Sequence, residues 1–232
     1  MSKIFPSAEA ALNDIVFDGI SIMVGCFGFC GLPETLTNEI DKLGTQNITL
    51  IAMDAGGDGF GLERLFEDHQ VTKLITSYVG TNKTASSQMV AGTLEVDLCP
   101  QGTLIEAIRC GGAGIPAFYT RTGYKTIVAQ NKPHKIFDGL EYIEEKAITA
   151  DIALIRAYQA DMEGNLVYRK TARNSNPEMA TAAKITIVEV DEIVPNGTLN
   201  PDFIHTPGIY VDRIIKSTCP KRVEHLTTRS KA

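Results

Sequence analysis

Asp18-Gly19-Ile20-Ser21-Ile22-Met23-Val24-Gly25-Cys26-Phe27-Gly28-Phe29-Cys30-Gly31-Leu32-Pro33-Glu34 reads as a buried strand running into a glycine-rich turn and then a helix. Ile20 to Val24 is a short apolar, partly β-branched run of strand length. Gly25, Gly28 and Gly31 give the backbone freedom to turn tightly and let a ligand or another chain come close. Pro33 suits a first helical position, and Glu34 suits the positive end of the helix dipole. By themselves these glycines fit a bare strand-to-helix connection as well as a ligand-binding turn.

The unit repeats downstream. Residues 47–54 form an apolar strand that opens into Ala55-Gly56-Gly57-Asp58-Gly59-Phe60-Gly61, with a helix near 62–68. Strands are expected at 73–79 and 95–98, with a helical stretch at 84–91. Upstream, Pro6-Ser7 can cap a helix running to about Ile15. Thr103-Leu104-Ile105-Glu106 fits a capping box, so a helix is expected to run to about Cys110. It ends in a third glycine turn, Gly111-Gly112-Ala113-Gly114-Ile115-Pro116.

Then the texture changes. Residues 126–130, 136–137 and 141–143 read as short antiparallel strands, with Asp138-Gly139 as a hairpin turn. Residues 152–157 are a strongly apolar strand, and Gly164-Asn165 turns the chain into 166–169. Asn176-Pro177 starts a helix to about Lys184, and 185–190 is another core strand. The polar tail, 217–232, is expected to fray. Strands alternating with helices give an α/β class: a mostly parallel sheet flanked by helices, with a small antiparallel addition, in one domain over 1–232. Ligands of such sheets sit beyond the carboxyl ends of the strands, and all three glycine turns are expected to gather there.

The 232 residues are 44% hydrophobic and 22% charged, enough for a sizeable core. A net charge of −6, with no block of Lys or Arg, argues against nucleic acid and anionic membrane as partners. Cys26, Cys30, Cys99, Cys110 and Cys219 lack metal spacing and read as reduced thiols of a cytoplasmic protein. No apolar run approaches a membrane span, and the first residues have no signal-peptide pattern. The histidines at 69, 134, 205 and 225 are scattered, so no metal is expected.

Gly25, Gly28 and Gly31 have the wrong spacing for a dinucleotide fingerprint. Gly112-Ala113-Gly114-Ile115-Pro116-Ala117 has the spacing but follows a helix instead of a strand, so nicotinamide binding is rejected. Neither a Walker A sequence nor a Gly-x-Ser-x-Gly elbow is present. Asp54, Asp58 and Glu63 around the second turn are explained by turn and cap chemistry. Gln101, between a strand end and a helix start, reads by itself as a glutamine facing water.

Four blocks change the weighing. The 18–34 stretch resembles the N-terminal signature of the family I CoA-transferases. Pro100-Gln101-Gly102-Thr103-Leu104 with Gly111-Gly112-Ala113-Gly114-Ile115-Pro116-Ala117-Phe118-Tyr119-Thr120 resembles their 3-oxoacid A subunits. So do Gly164-Asn165-Leu166-Val167-Tyr168-Arg169-Lys170-Thr171-Ala172-Arg173-Asn174 and His205-Thr206-Pro207-Gly208-Ile209-Tyr210-Val211. Together they span nearly the whole chain in one order.

The resemblance implies an α/β fold and CoA transfer between an acyl-CoA (succinyl-CoA or acetyl-CoA) and a short carboxylic acid such as acetoacetate, as in ketone-body metabolism. It implies a ping-pong route through a glutamyl-CoA thioester, with CoA thioester as substrate and no permanently bound cofactor. The family's nucleophile lies in a Glu-Asn-Gly motif of a B subunit. Here Glu163-Gly164-Asn165 has those letters in another order. A B-subunit partner in an α2β2 assembly is therefore expected, with this chain inactive alone.

By resemblance, Gln101 faces the acyl group, and Met53 and Asp54 stand in a segment usually written Asn-Asn-x-Gly. The turns holding Gly25, Cys26, Phe27, Gly28 and Gly31, and Gly112, Ala113 and Gly114, are expected to line the acyl pocket or the subunit contact. Cys26 stands where the family has glycine, Tyr124-Lys125 interrupt a usual Gly-Val-Gly-Thr, and Ser175 replaces the phenylalanine of Asn-Phe-Asn. Two other readings stay open: a non-catalytic anion-binding or interaction subunit, and a sugar-phosphate isomerase on a related fold.

Overall fold

Ser7 opens the first helix as its residue type suggests: its hydroxyl accepts the Ala10 N–H at 3.1 Å and caps α1 (Ala8–Leu12). Strand β1 (Ser21–Val24), α2 (Glu34–Leu43), β2 (Ile48–Ala52), α3 (Glu63–Glu67), β3 (Val71–Thr76), α4 (Lys83–Ala91), β4 (Glu95–Leu98) and α5 (Gln101–Gly112) follow in alternation. The later chain adds β5 (Ala117–Thr120), β6 (His134–Phe137), β7 (Leu140–Lys146), β8 (Ala150–Asp161), β9 (Leu166–Val167), α6 (Asn176–Thr181), β10 (Ala183–Val194) and β11 (Arg213–Lys216). The structure is a computed structural model and describes residues 2–59 and 61–220.

The main sheet has the order β11-β10-β8-β1-β2-β3-β4, all parallel, and β9 adds antiparallel to the end of β8. Its register places Ile22 beside both Leu50 and Ile152, and Val24 beside both Ala52 and Leu154. Alternate residues therefore face opposite ways. Ile22, Val24, Leu50, Ile152 and Leu154 pack on one face with α1 to α4. Met23, Ile51, Ala153 and Ile155 pack on the other with α5 and α6. Both faces are covered, which is why the central strands are apolar throughout instead of alternating.

Order reverses at β1. The chain moves outward through β2, β3 and β4, and then returns to place β8, β10 and β11 on β1's other side. That reversal opens a crevice at the carboxyl ends of β1 and β8, where ligands of open α/β sheets sit. A second, three-stranded antiparallel sheet, β5-β7-β6, supplies the small addition. Asp138 and Gly139 hold φ of +49° and +74°, as a two-residue hairpin loop requires.

At the opposite, amino edge, Asp151 accepts the Ser21 N–H at 2.9 Å, the Ser21 hydroxyl at 2.7 Å and the Lys184 ammonium at 2.7 Å. The Lys184 hydrogen bond, and then those from Ser21, hold its carboxyl at about 2, below the ordinary 3.8. A depressed carboxyl pKa stabilises the fold above the unfolded value, and the gain is lost as pH falls through the folded one. Asp151→Asn is expected to lower the thermal midpoint at pH 7 by about 2–4 °C, the effect of about 1 kcal/mol in a chain of this size. In melts over a pH series the gap to the parent narrows as pH falls from about 4 through about 2; a gap as wide at pH 2 as at pH 7 removes this account.

Several expectations are corrected. The capping box at Thr103 does not form: α5 begins at Gln101 with Pro100 as its cap, and Thr103 lies buried inside the helix. Proline fixes its own φ and holds Cys99 extended, so the helix starts directly after it. The strand expected at 126–130 is a 3-10 turn, Ile127–Ala129, capped by Thr126. Its edge on β7 is taken by Ala117–Thr120, whose Tyr119 hydroxyl donates to Glu144 at 2.7 Å. β3 runs Val71–Thr76, starting two residues before and ending three residues short of the expected 73–79, and beyond its end the Ser77 N–H donates to the Met53 carbonyl.

Ser217 and Thr218, expected to begin a loose tail, are tied down. The Ser217 hydroxyl donates to Glu189 at 2.5 Å, and the Thr218 N–H donates to the Thr35 hydroxyl at 3.1 Å. The rest of that tail, from 221, lies outside the described residues. No helix among the described residues is long and apolar enough to cross a membrane.

Candidate functional site

The turn after β1 is a miniature hairpin. Phe27 and Cys30 exchange N–H···O bonds, each 3.0 Å, around Gly28 and Phe29. Gly28 holds φ +59°, the left-handed conformation such a two-residue loop demands of its first residue. Gly25 is required for a different reason: a Cβ there would stand 2.0 Å from Asn176 Oδ1. Cys26 turns inward, is fully buried in the core, and leaves the space above the turn free.

Asp54 locks this turn to the second. Its carboxylate accepts the Gly28 N–H at 2.5 Å and the Gly56 N–H at 2.8 Å. The position uses an acceptor, which an aspartate supplies without an amide. The Phe29 ring lies over Gly57, where a Cβ would be 2.6 Å from Cζ.

Residues 172–176 clasp the first turn from the other side. Asn176 is completely buried: its Oδ1 accepts the Arg156 N–H at 2.8 Å, and its Nδ2 reaches the Ala172 carbonyl at 3.1 Å and the Gly31 carbonyl at 3.3 Å. Asn174 holds φ +22° and ψ −121°, a backbone conformation that side chains rarely adopt. Its own amide holds it there, donating to the Cys30 carbonyl at 2.9 Å, while its Oδ1 accepts the Ser175 N–H at 2.7 Å. Behind the clasp, buried Glu189 receives the first turn of α2 through Thr35 and Leu36, with Arg156 Nη1 at 3.5 Å. Burial, its largest influence, pushes the Glu189 carboxyl above the usual range.

Between turn, clasp and α5 lies a cavity of about 340 Å³ at the carboxyl edge of the sheet. Phe27 from the turn, Met53 after β2, and Gln101 and Ile105 from α5 line it, and Ser175 and Glu178 close it. Gln101 is exposed in the first turn of α5, with no hydrogen bond to its side chain among the described residues. Sequence reasoning placed Phe27, Met53 and Gln101; it missed Ile105, Asn176 and Glu178. Ser175-x-x-Glu178 spells a capping box, a signal that could have drawn attention to this segment.

The third glycine segment does not join the others. Gly111 and Gly112 belong to α5, not to a turn, with Ala113 as the helix cap. A Cβ on Gly111 would stand 2.2 Å from the Ile148 carbonyl oxygen, and one on Gly112 2.0 Å from Thr181 Oγ1. Ile148 and Thr181 precede β8 and β10, so Gly112, Ala113 and Gly114 lie at the amino edge, opposite Gln101. A helix that starts after a strand's carboxyl end and runs back antiparallel must finish there.

Tyr124 and Lys125 also lie away from the cavity, beside the small sheet. Tyr124 hydrogen-bonds Glu141, and Lys125 takes φ +62° where the family pattern has glycine. Glu163-Gly164-Asn165 is the β8–β9 turn, with Asp161 accepting the N–H groups of Glu163 and Asn165. His205 Nδ1 accepts the Tyr168 N–H at 2.9 Å, a structural bond that needs a neutral ring. Burial pushes the Cys26 thiol well up and the Cys99 thiol to about 12, which disfavours the thiolate a nucleophile needs.

Sheet, turns and cavity define an α/β protein with a cavity at the carboxyl edge of a parallel sheet, the edge at which ligands of such sheets sit. The chain belongs to the coenzyme A transferase family, whose model matches residues 5–217, and its part is in CoA transfer. It is 52% identical over 229 residues to the A subunit of the succinyl-CoA:3-ketoacid coenzyme A transferase of Xanthomonas campestris pv. campestris, covering 98% of this chain and 95% of that one. Over 231 residues it is 52% identical to the A subunit of the enzyme of the same name from Helicobacter pylori, covering 99% of each. The human mitochondrial succinyl-CoA:3-ketoacid coenzyme A transferase 2 is 43% identical over 245 residues, 97% of this chain and 47% of that longer one. Among solved structures, an acyl-CoA transferase of Escherichia coli O157:H7 superposes with a TM-score of 0.85 at 24% identity, over 93% of this chain and 47% of that one. Glutaconate coenzyme A-transferase of Acidaminococcus fermentans gives 0.82 at 20% identity, over 93% and 76%. These two likenesses show the shared fold.

Proposed function

We propose that this chain is the A subunit of a two-chain 3-oxoacid CoA-transferase, which moves CoA from succinyl-CoA or acetyl-CoA to a short acid such as acetoacetate. The observation that carries the reading is the grouping of Gln101, Met53 and Phe27 in one chamber of a chain that lacks Glu-Asn-Gly. The names of its relatives, A subunits at about half identity over nearly full length, support it.

The chemistry needs a carboxylate nucleophile. In the proposed scheme a glutamate of the B chain attacks the thioester carbonyl, and CoA leaves as thiolate, giving a mixed anhydride. The thiolate then attacks the glutamyl carbonyl and releases the donor acid, leaving a glutamyl-CoA thioester. The acceptor carboxylate reverses both steps. The thioester's energy is kept throughout, provided water is excluded. This chain's share is one wall: Gln101 offers its amide to the acyl oxygen, Met53 and Phe27 exclude water, and Asp54 fixes the turn that carries Phe27.

The test is reconstitution. The purified chain alone is expected to give no CoA transfer from succinyl-CoA to acetoacetate, and adding a B chain bearing Glu-Asn-Gly is expected to restore it. Trapping the mixture with acyl-CoA and borohydride should mark a glutamate of the B chain. Robust transfer by this chain alone, or a label on one of its own glutamates, overturns the reading.

A further inference from the structure

Asn174 and Ser175 carry dihedrals close to those of the central pair of a type II′ turn: φ +22° and ψ −121° at Asn174, φ −84° and ψ −3° at Ser175. The first of these two places suits glycine, because a Cβ crowds the backbone there. An asparagine in it carries strain that a glycine would not, and such strain persists only where surrounding contacts outweigh it.

Those contacts come from the Asn174 amide, which uses its full hydrogen-bonding capacity. Its Nδ2 donates to the Cys30 carbonyl at 2.9 Å and to the Thr171 carbonyl at 3.2 Å. Its Oδ1 accepts the Ser175 N–H at 2.7 Å and is reached by Asn176 Nδ2 at 3.2 Å. Glycine would relieve the backbone and lose them all. The Cys30 carbonyl also accepts the Phe27 N–H at 3.0 Å, across the miniature hairpin. One oxygen thus ties the Asn174 amide to the backbone of Phe27. Gly31 leaves room for that amide: a Cβ there would stand 2.9 Å from Asn174 Nδ2. Phe27 is half-exposed and, like Asn174, borders the chamber.

We propose that Asn174 is a positioning residue, kept at a strained place so that its amide, through the Cys30 carbonyl, fixes the Phe27 ring over the chamber and keeps water from the thioester intermediate. This rests on the transferase reading and gives one of its requirements, the exclusion of water, to a named residue of this chain. The part of Asn176 is different: it is buried beneath the turn and braces Gly25. Water that enters attacks the glutamyl thioester carbonyl. The C–S bond breaks, CoA leaves as the thiol, and the glutamate is regenerated with no acceptor acid activated. A loose Phe27 therefore shows as hydrolysis in place of transfer.

The experiment gives succinyl-CoA and acetoacetate to the enzyme assembled with its B chain, and measures free CoA release beside acetoacetyl-CoA formation. Asn174→Gly is expected to raise the hydrolysis-to-transfer ratio about tenfold, the scale of a small displacement in a reacting site. Its thermal midpoint is expected within about 3 °C of the parent's, because relieved strain offsets the lost bonds. Asn174→Ala, which loses the amide and keeps the strain, is expected to raise the ratio as much and to melt about 5 °C or more below the parent. A merely structural role predicts a glycine variant as faithful as the parent. A ratio within about twofold of the parent's in Asn174→Gly overturns the proposal. If the assembled parent transfers no CoA, it is the transferase reading that fails. Amide hydrogen exchange of the chain then still reads the positioning. Exchange of the Phe27 and Cys30 N–H groups about tenfold faster or more in Asn174→Gly, with the β1 amides unchanged, supports it, and unchanged exchange overturns it.

Discussion

Asn176→Ala is expected to lower the unfolding free energy by about 3–5 kcal/mol and the thermal midpoint by roughly 10 °C. Asn176 is fully buried, and the substitution strands the groups it joins: the Arg156 N–H and the carbonyls of Gly31 and Ala172. Each buried polar group left unpaired costs about 1–3 kcal/mol. Transfer by the assembled enzyme should fall with it, because the Gly25–Gly31 turn that carries Phe27 loses its clasp. The signature is coupling to Gly25. In the parent, Gly25→Ala forces a Cβ to 2.0 Å from Asn176 Oδ1; once Asn176 is alanine that atom is gone. Urea unfolding of the parent, both single variants and the double variant should give a coupling above about 1 kcal/mol. Effects that add to within about 0.5 kcal/mol would show that turn and clasp are not one unit.

Gln101→Ala is expected to behave in the opposite way. It should lower kcat of the assembled enzyme by about 100-fold, the scale of losing one donor to a developing oxyanion. Stability should stay within about 0.5 kcal/mol, because Gln101 is exposed, makes no side-chain hydrogen bond among the described residues, and sits in a helix that alanine suits. KM for the acyl-CoA should change much less than kcat if the contact tightens in the transition state. Unchanged kinetics remove Gln101 from the reaction. A kinetic loss matched by a loss of stability would make its part structural.

The two experiments divide the site into a frame and a reacting wall, and the sequence was legible to different depths in each. The wall residues sit at ends of elements whose periodicity is strong. β1 and β2 are apolar runs bounded by glycine turns, so Phe27 and Met53 fall beyond strand ends by counting along the chain. Gln101 follows Pro100, which fixes where α5 begins even though the capping box at Thr103 pointed two residues later. The frame was not legible in the same way. Asn176 read as a helix start, which it is, but its contacts with Gly25, Gly31 and Arg156 join segments more than 100 residues apart or across strands.

Local chemistry also misled where an alternative partner outcompeted it. Thr126–Gln130 has strand-like residues, yet β7 offered its edge to Ala117–Thr120. The glycines at 111 and 112 looked like a turn, and they are helical residues kept small by Ile148 and Thr181. Asp54, explained by turn chemistry alone, does cap its own turn at Gly56, but its second oxygen holds a different turn at Gly28.

By itself the sequence determined the α/β alternation, the two carboxyl-edge turns, the hairpin at Asp138-Gly139, and the family motifs that point to CoA. These depend on residue type and short spacing, where hydrophobic period and backbone conformation act within a few residues. Only the tertiary structure decided that β8 lies beside β1, that Glu189 receives the first turn of α2, that Asn176 presses on Gly25, and that Glu178 stands on the wall of the chamber. Those outcomes follow from the order of strands in a sheet. That order is set by which long-range packing buries both faces best, a comparison between whole folds that no local pattern contains.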